Sequence, residues 1–231
     1  MKPFVLLAVA FAAFSAVRAG VVLVQEVESE GQFGEIILTL DGERVRADLS
    51  PAVSILIDGE SGEQVTLMHQ MKQYLKMSAK EGKRLAEGVE EISRESGSAA
   101  APKLVATGKR EKVGKYVAER YTFETGSLKA TYWIAEDFPD SDIILKALGV
   151  LQRGSTAAAT ESVLPGPESL PGVPVKTEVM MGDRKVTNTL VSVVFGPVDA
   201  RQFEVPAEYI ATEKVPVLPM GRSKAPAPRG P

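Results

Sequence analysis

The sequence predicts a mainly β protein: a curved antiparallel sheet or incomplete β-barrel of about 10 to 11 strands, covered by one or two helices. Three observations support this fold class. Apolar and polar residues alternate with a period of two over most of the chain, short turn sequences separate the alternating segments, and only two segments have helical spacing. Because few residues join neighbouring strands, we expect those strands to pair in antiparallel orientation.

Eleven segments carry the strand pattern. In one of them, Ile36, Leu38 and Leu40 fall on the same face, and Asp41-Gly42 follows as a tight turn. One face of the sheet is therefore predicted to be apolar and the other polar, so the apolar face needs a cover. The predicted strands are Val21–Glu28, Glu35–Leu40, Arg44–Leu49, Val53–Ile57, Gln64–His69, Met71–Met77, Lys103–Thr107, Lys115–Glu124, Leu128–Ala135, Val173–Met181 and Lys185–Phe195.

Two segments with helical spacing can supply this cover. A capping box at residues 78–81 begins a predicted helix that ends near Glu95. Its apolar stripe consists of Leu85, Val89 and Ile92, which are the candidate residues of a lid helix; simple packing cover is the alternative role for them. The second predicted helix runs from Asp140 to Leu151, and it places Ile144, Leu148 and Leu151 on one side.

Both ends of the chain differ in composition from the β region. Residues 1–19 combine Lys2, an apolar run over 4–17 and small residues before Ala19, which is typical of a signal peptide cleaved after Ala19. An uncleaved anchor and a buried core helix are the alternatives. We therefore expect export to the periplasm or the extracellular space, with no stable membrane span after cleavage. Residues 20–210 form the predicted β domain, and 211–231 a disordered, proline-rich basic tail.

Composition excludes several classes of site. The chain has no cysteine and one histidine, which excludes disulfides, thiolate nucleophiles, cysteine zinc sites and any metal site with two imidazoles. The net charge of −3 argues against a nucleic-acid partner. No catalytic, metal or cofactor residue is predicted, and helix capping explains the acidic stretch 136–142 better than calcium does. His69 is interpreted as a structural or surface residue.

A concave apolar face under a modest helical cover is typical of a site for an apolar ligand. Trp133 lies on the face opposite Tyr132 and Ile134, so we expect it to face the polar side or an edge. The methionines either fill the core or form an adaptable binding surface. The candidate residues lining the ligand site are Leu38, Leu40, Ile55, Ile57, Leu67, Tyr132 and Ile134.

A series of short motifs resembles a known family. The motifs are Met68–Tyr74, Ala106–Lys109, Gly114–Tyr116, Tyr132–Glu136, Pro171–Val175 and Phe203–Tyr209. They are similar to the bacterial exported family of domain of unknown function (DUF) 4412, over roughly residues 20–210. That family in turn resembles the LolA, LolB and LppX-like lipoprotein carriers. The resemblance implies a LolA-like incomplete barrel around an apolar cavity, with a lipid or lipoprotein as the partner, and it supplies no catalytic residue. The absence of a lipobox cysteine argues against a membrane-tethered acceptor.

The sequence thus leads to three functional hypotheses. The first is an exported, non-enzymatic protein that binds a lipid or other apolar ligand in a half-barrel cavity. The second is a structural or interaction module of the envelope, which uses a sheet edge or the C-terminal tail. The third is a hydrolase whose site carries none of the usual sequence motifs, with a version that depends on His69 as one form of it.

Overall fold

A single β-sheet dominates the computed structural model, which describes residues 20–84, 103–125, 128–154 and 164–213. Within these residues the sheet has twelve strands. They are β1 (Gly20–Ser29), β2 (Gln32–Asp41), β3 (Arg44–Ser50), β4 (Val53–Asp58), β5 (Gln64–Met68), β6 (Gln73–Met77), β7 (Val105–Val113), β8 (Tyr116–Thr125), β9 (Leu128–Ala135), β10 (Val173–Met181), β11 (Arg184–Gly196) and β12 (Ile210–Ala211). Residues 79–84 form helix α1, and Ser141–Gly154 forms helix α2. Short 3-10 turns lie at His69–Met71, Pro167–Ser169 and Ala200–Phe203.

The strand order shows two antiparallel meanders joined at the centre of the sheet. In space the order is β12-β6-β5-β4-β3-β2-β1-β11-β10-β9-β8-β7. Consecutive strands pair as antiparallel neighbours from β1 to β6 and from β7 to β11, while β1 pairs with β11. The short β12 pairs with β6 in parallel. The sheet is therefore open, with β12 and β7 at its edges, and the predicted mainly β, antiparallel fold class is confirmed.

All eleven predicted strands are present, and three of them differ from their predicted bounds by more than one residue. The second strand begins at Gln32 rather than Glu35, and the sixth and seventh also differ. His69–Met71 forms a 3-10 turn that ends at Lys72 in the left-handed conformation (φ 48°), so the sixth strand begins at Gln73 rather than Met71. The seventh strand runs to Val113 rather than Thr107, because it continues to pair with β8. Its sequence from Lys109 to Lys112 is entirely charged, so no period of two marked this part of the strand.

The register brings the predicted apolar residues together on one face of the sheet. Val21 pairs with Leu40, Leu40 with Val45, and Val45 with Ile57. Helix α2 packs on this face and contacts β3, β4 and β10. The resulting main cluster contains Val21, Leu23, Leu38, Leu40, Val45, Ala47, Ile55 and Ile57 from the sheet and Ile144, Ala147 and Val150 from α2.

The expectation of a uniformly polar opposite face is wrong in two places. On β4 and β5, Leu56, Val65 and Leu67 form a separate buried cluster under the C-terminal segment. On β9, Trp133 is only 6% exposed and belongs to the main cluster, so the expectation that it faces the polar side or an edge is wrong. The C-terminal segment covers the separate cluster, and the cationic side chains of Arg120 and Lys176 lie over the Trp133 ring. Alternation within a strand does not reveal either kind of cover.

The helices begin where the sequence predicts. The capping box is confirmed: the Ser78 N–H donates to Glu81 Oε2 (2.9 Å), and the Glu81 N–H donates to Ser78 Oγ (3.3 Å). Helix α2 is three residues longer at its C-terminal end than predicted. The remainder of the predicted first helix, with Leu85, Val89 and Ile92, lies outside the described residues, as do the predicted signal peptide and tail residues 214–231. Within the described part of the chain, no helix combines the length and the apolarity that crossing a membrane requires.

Candidate functional site

The seven predicted lining residues are all buried, and the structure distributes them over three apolar clusters. Leu38, Leu40, Ile55 and Ile57 belong to the main cluster under α2. Tyr132 and Ile134 belong to a second cluster. Leu67 belongs to the third, because the side chains of β5 alternate and Leu67 points away from α2. The second cluster consists of Phe123, Leu128, Ala130, Tyr132, Ile134 and Leu170.

Helix α2 lies between the first two clusters and contacts both. Its residues Ile144, Ala147 and Val150 are buried in the main cluster, while Leu145 packs against the second. A helix that buries neighbouring positions on two sides shares its apolar stripe between two surfaces. The α2 side chains therefore join two clusters that contact β9 through alternate residues, Trp133 and Ala135 in the main cluster and Tyr132 and Ile134 in the second.

A small polar pocket adjoins the second cluster. Its volume is about 40 Å³. Ile134 is the predicted lining residue that it contains, and its other walls are Arg110, Val117, Glu119, Glu136 and Asp137. Pockets for drug-sized ligands typically measure about 300–1,000 Å³. This pocket has room for water molecules and not for an acyl chain.

Ion pairs and a tyrosine hydroxyl organise the rim of this pocket. Arg110 Nε lies 3.6 Å from Glu119 Oε2 across β7 and β8. Tyr121 Oη donates a hydrogen bond to Glu136 Oε1 at 2.9 Å. Burial and this hydrogen bond to a carboxylate raise the pKa of Tyr121 to about 12, because both disfavour the phenolate. The tyrosine is thus held as a neutral donor at physiological pH.

Two buried acceptors within the described residues have no hydrogen-bond partner. They are Gln64 Oε1 on β5 and Asn188 Oδ1 on β11. Gln64 pairs with Ile57, so its side chain lies on the α2 face of the sheet. A buried acceptor without a donor costs about 1–3 kcal/mol. These two atoms are places where a bound molecule or a water would gain a hydrogen bond.

A polar network surrounds the single histidine on the opposite face. His69 Nε2 lies 2.6 Å from Ser54 Oγ, and His69 Nδ1 lies 2.7 Å from Tyr209 Oη. Ser54 Oγ also donates to Asp48 Oδ1. Arg46 holds the same carboxylate from Nε at 2.9 Å and from Nη2 at 2.7 Å.

The order of these bonds defines the donors and acceptors of the network. Ser54 donates its one hydroxyl hydrogen to Asp48, so it accepts from His69 Nε2. In the neutral ring, Nδ1 of His69 then accepts from Tyr209. Burial alone would raise the pKa of Asp48, but hydrogen bonds from Arg46 and Ser54 outweigh it and hold that pKa below its usual value.

This network has the residue types of a catalytic triad in a different arrangement. In a serine hydrolase the histidine lies between the nucleophile and the acid. Here the serine lies between the histidine and the acid, and Ser54 is 0% exposed, which closes its hydroxyl to an external substrate. The contact of Asp48 with Ser54 could have been predicted from the sequence, since the two residues face each other across the predicted β3–β4 hairpin. The contacts of His69 with Ser54 and Tyr209 are tertiary.

Trp133, which belongs to the main apolar cluster, also contacts charged side chains of β7, β8 and β10. The cationic groups of Arg120 and Lys176 lie 5.7 Å and 4.4 Å from its ring centroid. Its Nε1 donates to Glu111 Oε2 at 3.2 Å. The main cluster and these charged groups together bury the indole at a position that alternation predicts to be polar. In the described part of the chain, no group of three or more acidic or histidine side chains is placed to hold a metal ion.

Together these features define an open, mainly β domain with a helix packed on its apolar face and a C-terminal segment packed on the other. The chain belongs to the family called domain of unknown function (DUF4412), whose model matches residues 20–209. The resemblance of its sequence motifs to this family is thereby confirmed. No curated protein sequence matches the chain.

Several solved structures are similar at low identity, among them the following three. Two are crystal forms of PNGF-II, in space groups C2 and P21, each 12% identical over 85% of this chain, with TM-scores of 0.42 and 0.43. The match covers 31% and 32% of those chains, so this chain spans about a third of their length. The third is a domain from Vibrio parahaemolyticus described as an outer membrane lipoprotein-sorting protein domain. It is 8% identical over 82% of this chain and 90% of that one, with a TM-score of 0.31.

Proposed function

We propose that this protein is an exported, non-enzymatic binding protein that holds a lipid or another apolar ligand against the apolar face of its sheet. The observation that carries this proposal is the position of α2, which packs into two apolar clusters at once. Leu38, Leu40, Ile55 and Ile57 on one side, and Tyr132 and Ile134 on the other, form the proposed ligand surface. Leu67 lies on the opposite face of the sheet and belongs to a different surface.

The ligand in this proposal takes the place of α2. The polar pocket near Ile134 is too small for an acyl chain. In this proposal the helix therefore moves away from the sheet to admit the ligand. One polar tie between helix and sheet is the ion pair of Lys146 with Glu43, in which the lysine is 64% exposed. Exposed ion pairs contribute about 0–1 kcal/mol. The apolar contacts of α2 are the main interactions that a ligand must replace. An acyl chain can replace them because it also buries apolar surface against the sheet.

The unpartnered acceptors give the proposed ligand a polar requirement. Gln64 Oε1 and Asn188 Oδ1 are both buried. A ligand that carries a hydroxyl or amide N–H beside its apolar part would satisfy such an acceptor. Acylated molecules with a donor near the acyl chain are therefore favoured over plain hydrocarbons.

A cross-link between α2 and the sheet tests the proposal directly. The chain has no cysteine, so the double variant Glu43→Cys/Lys146→Cys introduces the only two thiols. A short bismaleimide across this former ion pair fixes α2 in place. We expect the uncross-linked double variant to bind a fluorescent fatty acid and to carry lipid in native mass spectrometry, and the cross-linked form to do neither.

Matched controls separate helix displacement from loss of structure. Each single-cysteine variant, treated with the same reagent, should bind like the untreated protein. Circular dichroism should show the same β content before and after cross-linking. Equal binding by the cross-linked and uncross-linked forms would place the ligand elsewhere, and the absence of any bound lipid or dye in the uncross-linked protein would reject the carrier function.

Export is part of the proposed function. Residues 1–19 carry the features of a cleaved signal peptide. N-terminal sequencing of the protein purified from its native cells should begin at Gly20, the first residue of β1. A mature protein that begins at Met1, or that fractionates with the cytoplasm, would contradict this part of the proposal.

An interaction module of the envelope is the second candidate function, and β7 is the observation that favours it. This strand is one edge of the sheet, and eight of its nine residues are exposed. Edge strands present unpaired backbone groups to other chains, although lysines such as Lys109 and Lys112 also discourage such pairing. Lysine-directed cross-linking in whole cells should join these two lysines to a partner if the edge is used, and Lys224 if the tail is used.

A further inference from the structure

The C-terminal segment 197–213, which we call the strap, crosses the face of the sheet opposite α2. Arg46 Nη1 on β3 donates to the carbonyl oxygen of Gln202 at 2.9 Å. The guanidinium of Arg44 lies 4.8 Å from the ring centroid of Phe203. Val205 and Tyr209 then pack on the third cluster, and the strap ends beside β6.

The strap covers an apolar surface that would otherwise face water. Leu56, Val65 and Leu67 are buried beneath it, while Ile210 on its outer side is 71% exposed. No described segment lies over the strap at Ile210. The strap is thus a surface layer, and its removal would uncover an apolar groove along β4, β5 and the edge strand β6.

Few backbone bonds hold the strap beside β6. The Ile210 N–H donates to the carbonyl of Lys72 (2.9 Å), and the Thr212 N–H donates to the carbonyl of Tyr74 (2.8 Å). These bonds add a short parallel strand to the edge of the sheet. The strap is also held by side-chain contacts. The ring of Tyr209 packs on the third cluster, and its hydroxyl forms a hydrogen bond with His69.

This combination matches the way in which folded domains bind extended peptides. An added strand supplies backbone hydrogen bonds that any sequence can make, and pockets for selected side chains supply specificity. On this surface the apolar cluster accepts Val205, and the ring of Tyr209 reaches the same cluster four residues later. His69 favours tyrosine over phenylalanine at the second position, because the tyrosine hydroxyl forms a hydrogen bond with the imidazole.

We propose that the groove formed by Leu56, Val65, Leu67, Tyr74 and His69 is a peptide-binding site, and that the strap is its resident ligand within the same chain. The partner is an extended protein segment that presents a valine and, four residues later, a tyrosine. Such a segment displaces the strap and pairs with β6. This site lies on the face opposite the proposed apolar-ligand site and does not depend on it.

The test uses the full chain with a protease site inserted after Gly196, cut once the protein has folded. A fluorescent peptide with the sequence of residues 203–213 is then added, and its anisotropy and the native mass spectrum are recorded. We expect the cut protein to release the fragment that begins at Pro197 and to bind the peptide at least about tenfold more tightly than the uncut protein does, because the tethered strap competes at high effective concentration.

Two matched controls identify the contacts. A peptide with the Tyr209→Phe change keeps the ring and loses the hydroxyl, and it should bind about fivefold more weakly. A scrambled peptide of the same composition should not bind. If the cut protein no longer folds, peptide binding is measured on the uncut full chain instead. A large excess of peptide is then used, because the peptide competes with the tethered strap whenever the strap detaches.

Three results would overturn the proposal. The first is a strap fragment that stays bound against a hundredfold excess of peptide, with no peptide taken up by the cut or uncut protein. The second is equal binding of the native and scrambled peptides. The third is a concentration-dependent dimer that exchanges whole straps but takes up no free peptide, because the groove would then serve a second copy of this chain.

Discussion

Replacing Ser54 by alanine should destabilise the protein through the network that it connects. The hydroxyl bonds Asp48 and His69 and accepts from Arg46 Nη2 at 3.2 Å. The methyl group of alanine fits the space, so the effect comes from lost hydrogen bonds rather than from a cavity. Because Ser54 is fully buried, water cannot replace its hydroxyl.

The hydrogen bonds that remain in Ser54→Ala determine how much stability the variant loses. Asp48 keeps its bonds from Arg46, and His69 keeps its bond to Tyr209. Hydrogen bonds to charged groups contribute about 1.5–3 kcal/mol, and a buried group left without its partner costs about 1–3 kcal/mol. We expect Ser54→Ala to lower the free energy of unfolding by about 2–3 kcal/mol. In a domain of this size that corresponds to about 4–12 °C in Tm.

Urea unfolding followed by circular dichroism measures this change. The matched control is Ser50→Ala, which removes an exposed hydroxyl that accepts one bond from the Ala52 N–H at 3.3 Å, and its effect should stay within about 0.5 kcal/mol. Hydrogen exchange adds a local measurement, because His69 without its bond to Ser54 holds Tyr209 less firmly, so the amides of Ile210 and Thr212 should lose protection.

A double-mutant cycle tests whether the network acts as a unit. Ser54→Ala and Tyr209→Phe remove bonds at the two nitrogens of the same imidazole, so their effects should be coupled by at least about 0.5 kcal/mol. The reasoning is refuted if Ser54→Ala costs less than about 0.5 kcal/mol, or if the two substitutions are additive and the strap amides keep their protection.

Three further predictions concern packing and protonation. Leu67→Ala should cost about 2–5 kcal/mol in urea unfolding, because Leu67 is fully buried under the strap, whereas Leu49→Ala, at a side chain that is 39% exposed, should cost less than about 1 kcal/mol. The pKa of Asp48 is lowered in the folded state, so the ionised carboxylate stabilises the fold above the ordinary value of 3.8 and this contribution is lost as pH falls through the folded pKa. Asp48→Asn should therefore lose less stability than the native protein between pH 5 and pH 2 in acid unfolding followed by circular dichroism; an equal loss would contradict the assignment. Alkaline titration by NMR should show Tyr121 losing its proton near pH 12, and Glu136→Gln should lower that pKa; an unchanged value would mean that the hydrogen bond to Glu136 is not a cause.

The predicted strands and their pairing came from local signals. Eleven segments with a period of two are strands, and turns such as Asp41-Gly42 join antiparallel neighbours, because a two-residue connection permits no other pairing. The capping box predicted the start of α1 for the same reason, since its hydrogen bonds span only three residues. The apolar face of β1 to β4 followed from alternation and register.

The candidate ligand site was predictable only as a set of apolar residues. Leu38, Ile55 and Ile134 were recognised as inward-facing, yet the sequence could not show that α2 fills the space between their clusters. It also grouped Leu67 with them, because a strand pattern shows which residues alternate and not which face carries the helix. The length of β7 was underestimated, since its charged residues pair through their backbones.

The sequence by itself determined which residues form strands, which turns join them, and that most of one face of the sheet is apolar, because these properties depend on neighbours along the chain. The tertiary structure alone decided what covers each face. The contacts of α2 with both apolar clusters, of Tyr209 with His69, and of Lys176 with Trp133 join distant segments. Such contacts depend on the path of the chain across the sheet, and alternation within a strand contains no information about that path.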